Sequence, residues 1–95
     1  MKIVINACHG GFRLSAEAKQ AYMALKGVTL PVTELWEFDL DRNDPMLVAV
    51  VEKLGTAADT SVSELRVVEI PDDVEWQIEE YDGVEWVAEK HRTWS

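Results

Sequence analysis

The pair Asp82-Gly83 lies between two runs of alternating side chains, and it constrains the fold of this chain more than any other feature. A two-residue reversal that matches strand twist needs positive φ at both central positions, which Asp tolerates and Gly adopts freely. Before the pair, Val74, Trp76 and Ile78 alternate with Glu75, Gln77 and Glu79; after it comes the run Val84 to Glu89. A C-terminal β-hairpin is therefore expected, with Trp76 and Trp86 as a cross-strand pair where the register allows it. A helix over Val84 to His91 competes with this reading, because Val84, Val87 and Ala88 also share a helical face.

Upstream, Ile3-Val4-Ile5 is a continuous β-branched run, the pattern of a central strand covered on both faces, as in a parallel sheet. The loop Cys8-His9-Gly10-Gly11-Phe12-Arg13-Leu14 follows, and Ser15 offers an N-cap to a helix from Ala16 to Lys26. Ala18, Ala21, Tyr22 and Leu25 form its apolar stripe, and Gly27 ends it. Thr33 to Phe38, with Leu35 and Trp36 among charged neighbours, reads as a second strand. Asp44-Pro45 opens a second helix carrying Leu47, Val48, Val51 and Leu54, and Gly55 closes it. Thr56 to Ser63 is loop-like, and Leu65 to Ile70 is a third strand stopped by Pro71-Asp72-Asp73. The expected fold is α/β, a small mixed sheet in the order β-α-β-α-β with right-handed crossovers, followed by the hairpin. The chain has 95 residues, so one domain spanning 1–95 is expected, because two cores would each be too small.

Nine basic residues face eighteen acidic ones, giving a net charge of −9 that opposes docking on nucleic acid or anionic lipid. The imbalance is local. From Glu69 to Glu89 no Lys or Arg interrupts a series of acids, and then Lys90-His91-Arg92 forms a small basic tip. Cys8 is the only cysteine, so no internal disulfide is possible; the opening Lys2-Ile-Val-Ile is too short for a signal peptide or a membrane span. A cytoplasmic location is expected.

Two places could carry chemistry. The Gly10-Gly11-Phe12-Arg13 loop runs from a strand into a helix N-terminus, where free N–H groups attract anions, although its glycine spacing matches neither a dinucleotide fingerprint nor a phosphate loop. The alternative there is a tight turn in which glycine permits positive φ. The tip from Glu89 to Trp94 joins two cations, an imidazole and an aromatic plane, a set able to grip phosphate and stack a base; alternatively Trp94 packs on the core. Cys8 and His9 are neighbours on extended chain and face opposite ways, which disfavours a nucleophile–base pair. One Cys and two His do not arrange a zinc site, and no metal or cofactor is expected.

Over most of its length the chain resembles a group of short proteins of tailed phages and prophages. The matching residues are Ile3-Val-Ile-Asn6, Gly10-Gly11-Phe12, Leu14-Ser15, Asp44-Pro45 with Leu47-Val48, Val51-Glu52 with Leu54-Gly55, and the blocks Val68 to Trp76, Ile78 to Gly83 and Glu85 to Trp94. Arg13 departs from the pattern, which has a small residue after Gly-Gly-Phe. The resemblance implies a phage origin, the cytoplasm of an infected bacterium as location, and action on a host pathway by binding rather than turnover.

The leading expectation is counter-defence sequestration of a phosphorylated nucleotide signal in sites shared between subunits. Gly10, Gly11, Phe12, Arg42, Tyr81, Asp82, His91, Arg92 and Trp94 would supply backbone donors, cations and stacking rings. A second reading is an acidic inhibitor whose Glu69 to Glu89 surface imitates nucleic acid and fills a basic groove of a host protein. A third is a small enzyme using the Cys8-His9 loop. Four tryptophans in so short a chain also suggest a homo-oligomer.

Overall fold

The structure is a computed structural model that describes residues 1–27 and 40–90. Strand β1 (Lys2–Asn6) pairs antiparallel with β2 (Leu65–Glu69), from Lys2 opposite Glu69 to Asn6 opposite Leu65. Ile3, Val4, Ile5 and Asn6 are all buried, so the apolar run does mark a strand covered on both faces. Its partner is antiparallel, which corrects the expectation of a parallel central strand: a continuous apolar run reports burial and carries no information on the direction of the neighbour. The described strands form two separate two-stranded antiparallel sheets and no mixed sheet, so the coarse α/β class holds while its finer arrangement differs. The expected strand Thr33 to Phe38, and with it the handedness of both crossovers, lies outside the described residues.

Helix α1 (Ala16–Lys26) begins where Ser15 Oγ accepts a hydrogen bond from the Ala18 amide, and it ends at Gly27 with φ 72°. Its buried residues are Ala18, Tyr22 and Met23. Leu25, expected on the buried stripe, is 52% exposed; it borders a groove of about 410 Å³ between the helices instead of entering the core. Helix α2 (Pro45–Leu54) begins where Asp44 Oδ1 accepts from the Met46 amide at 2.9 Å. Leu47, Val48, Val50 and Val51 of α2 pack with Val4, Phe12, Leu14, Ala18, Tyr22, Ala58 and Leu65 to make the core. The expected loop after α2 opens with a short 3-10 helix, Gly55–Ala58, whose Ala58 is fully buried.

Strands β3 (Trp76–Tyr81) and β4 (Val84–Glu89) form the hairpin, with Tyr81 opposite Val84 across a two-residue turn. Asp82 and Gly83 have φ of 53° and 90°, as a primed turn requires. The competing helix over Val84 to His91 is therefore overturned across Val84–Glu89. The tryptophan pair is overturned as well. Trp86 stands opposite Glu79 and Trp76 opposite Glu89, and the period of two sends the tryptophans to opposite faces.

Asp44 joins the two helices. Besides capping α2, its Oδ2 accepts from the Tyr22 hydroxyl at 2.8 Å and meets Lys26 Nζ at 2.8 Å. Burial alone raises the affinity of this carboxyl for its proton, but hydrogen bonds from Lys26, Tyr22 and the Met46 amide outweigh it and hold the group below the usual aspartate range. Burial and the adjacent carboxylate push the Tyr22 phenol the other way, above its ordinary value. Because the folded value of Asp44 lies below its unfolded value of about 4, its stabilisation is complete above that pH and disappears as pH falls through the folded value. Asp44→Asn, which keeps the cap, should cost about 1–3 kcal/mol at neutral pH, a deficit that shrinks at acid pH as the native carboxyl takes up its proton. Urea unfolding at neutral and at acid pH checks this, and an equal deficit at both contradicts it.

Candidate functional site

The polar centre of the molecule lies where the hairpin meets β1. Two donors and one acceptor of β1 point away from β2: the Val4 amide donates to Arg42 O at 2.8 Å, Val4 O accepts from Arg42 Nη1 at 3.3 Å, and the Asn6 amide donates to Glu85 Oε1 at 2.9 Å. Residues 42 and 85 thus fill places that another strand would occupy. Arg42 and Glu85 are joined by a two-pronged ion pair, Nη1 to Oε1 at 2.6 Å and Nη2 to Oε2 at 2.8 Å, with side chains only 15% and 8% exposed. Two parallel charge-assisted bonds are the strong form of this contact. The guanidinium also lies 3.6 Å from the centre of the Phe12 ring.

Asn6 completes the junction. Its Nδ2 donates to Cys8 O at 2.6 Å and to Gly83 O at 2.8 Å, while its Oδ1 accepts from the amides of Cys8 and Glu64. One buried side chain therefore ties β1, the glycine loop, the start of β2 and the hairpin turn. The fit is tight. A Cβ on Gly83 would be driven into the His9 carbonyl and lie 2.7 Å from the Gly11 nitrogen, and one on Gly10 would collide with Val62. Gly11 itself has φ 95°, so the turn reading of this loop holds for Gly11, while Gly10 is there for close approach.

Several of the sequence-predicted site residues meet here. The turn Asp82-Gly83 sits against the His9 to Gly11 loop, with His9 Nδ1 3.5 Å from Asp82 Oδ2. Tyr81 is 75% exposed. Two others are placed where they serve the interior. Phe12 is 2% exposed within the core and faces Arg42, and Arg42 is held by Glu85, so neither is presented to a ligand from solvent. His91, Arg92 and Trp94 lie outside the described residues. Among the described residues, no group of three or more His, Cys, Asp or Glu side chains is placed to hold a metal ion.

Asn6 and Glu85 were missed by sequence reasoning. A signal for Glu85 existed: the hairpin register sets Glu85 and Val87 on the face of Ile78 and Trp76, so a carboxylate sits on the partly apolar face. The opposite, outward face carries Gln77, Glu79, Tyr81, Val84, Trp86 and Ala88. Trp86 on that face is 43% exposed.

These features define a small α/β protein whose acidic hairpin is latched to the body through a buried ion pair. No protein-family model, curated protein or solved structure matches the chain.

Glu85→Ala removes one side of the pair and leaves Arg42 and the Asn6 amide without their acceptor, so it should destabilise the protein by about 3–5 kcal/mol. Adding Arg42→Leu should recover part of the loss, because the stranded charge goes with it. Urea denaturation of the two single variants and the double variant tests this; strictly additive losses would show that the two groups do not act as a unit.

Proposed function

We propose that the protein is a non-enzymatic phage accessory protein that occupies a basic surface of a host component with the acidic, aromatic face of its C-terminal hairpin. The observation that carries this reading is the outward face of that hairpin, where exposed Tyr81 and Trp86 stand beside Glu79. Aromatic side chains on a polar surface are the usual anchors of protein interfaces, and carboxylates around them select a cationic partner and speed its approach. The resemblance to short phage proteins belongs to the same proposal, since it points to binding rather than turnover.

Sequestration of a phosphorylated nucleotide is the second reading. The meeting of the His9 to Gly11 loop with the Asp82-Gly83 turn favours it. Against it stand the pairing of Arg42 with Glu85, the burial of Phe12, and the Asp82 carboxylate, which repels phosphate.

The two readings separate in solution. Full-length protein, immobilised and exposed to bacterial extract, should capture basic nucleic-acid-binding proteins that are released by duplex DNA and by about 0.3 M salt, where surface charges are screened within about 6 Å. Partners retained through both treatments would sink the acidic-face reading. Calorimetry against a panel of mono-, di- and cyclic nucleotides should give no saturable heat; tight binding of any of them would establish the second reading instead.

A further inference from the structure

We propose that the outer edge of β3 takes up an extended, lysine- or arginine-rich segment of another protein as an added strand. This rests on the binding reading above and supplies its mode. The Lys90 amide donates to Glu75 O at 2.9 Å, which marks residues 75 and 90 as a hydrogen-bonded pair of the hairpin. Bonded and non-bonded pairs alternate along an antiparallel ladder, so Gln77, Glu79 and Tyr81 turn their backbone groups toward β4. Trp76, Ile78 and Glu80 therefore turn their N–H and C=O groups to the opposite edge. Among the described residues β3 pairs only with β4. A strand edge of this kind is a template on which a further chain can lay its own backbone.

The side chains around the edge state what that chain must carry. An added strand sends alternate residues to the two faces of the hairpin. On the outward face they meet Glu79, with the exposed rings of Tyr81 and Trp86 close by for a cationic head group to lie against. On the other face they meet Glu80 beside Ile78 and Trp76. Cations at alternate positions thus find a carboxylate whichever face they take. A second copy of this chain fits less well, because joining two β3 edges sets hairpins bearing Glu75, Glu79, Glu80 and Glu89 side by side, between chains that each carry a net charge of −9.

The test uses the isotope-labelled full chain and an end-capped octapeptide alternating arginine with threonine, together with the same peptide N-methylated on every backbone amide. Methylation keeps the charge and removes the donors that a ladder needs. The expected result is binding of the first peptide at low salt, slowed hydrogen exchange at the Trp76, Ile78 and Glu80 amides, a shift in tryptophan emission, and affinity at least about tenfold weaker for the methylated form. Glu79→Lys, with its native spectrum intact, should weaken the first peptide by about fivefold or more. Equal affinity for both peptides overturns strand addition and leaves the acidic-face reading standing. Binding of neither peptide overturns both. Dimerisation in light scattering, with the same three amides protected before any peptide is added, shows that a second copy takes the edge and also overturns the proposal.

Discussion

Strand β1 is buried on both faces and, among the described residues, has a partner strand on one side only, so the arrangement of the molecule depends on how its other side is satisfied. A buried amide without an acceptor costs roughly 1–3 kcal/mol, so this edge cannot be left bare. Arg42 and Glu85 solve the problem together: the backbone and guanidinium of one serve Val4, the carboxylate of the other serves Asn6, and the two side chains neutralise each other. Such a pair adds little stability over a well-packed apolar substitute, because both charges must leave water. Its effect is on placement. Only one docking position of the hairpin brings a carboxylate to the Asn6 amide and the Gly83 carbonyl to the Asn6 side chain.

What could be read from the sequence was what local chemistry encodes. Ser15, Gly27, Asp44 with Pro45, and Gly55 bound their helices because capping is settled within a few residues. Asp82-Gly83 reversed the chain because few dipeptides accept its backbone angles. The failures are non-local. The direction of β2 against β1, and the meeting of Arg42 with a carboxylate 43 positions away, depend on how elements pack after they form. Leu25 satisfied the helical period and still faced a surface groove, since periodicity identifies a stripe without saying how far along the helix its neighbour extends.

The candidate site divides in the same way. Phe12 and Arg42 were chosen for what their side chains can do to a ligand, yet within the fold they do it to each other, ring against guanidinium. The residues that remain toward solvent, Tyr81 and Trp86 with the neighbouring carboxylates, lie on a surface rather than in a cleft. A face of that shape suits an extended or broad partner better than an enclosed small molecule, which is usually surrounded over most of its area. The electrostatic character of the chain agrees, since three of the described cations, Lys2, Lys26 and Arg66, are held by Glu52, Asp44 and Glu64, none of them a hairpin residue.

The hydrogen bond from the Asn6 amide to a side chain of β4 has a kinetic meaning. Its neighbours Ile3, Ile5 and Ala7 face the β2 side, and the Ala7 amide donates to Glu64 O. The amide at position 6 is thus sheltered by the hairpin while its flanking amides are sheltered by the sheet. If the C-terminal arm swings off as a unit, deuterium should enter at the Asn6 amide well ahead of the Ile3, Ile5 and Ala7 amides, which makes one proton a built-in gauge of how often the arm lets go.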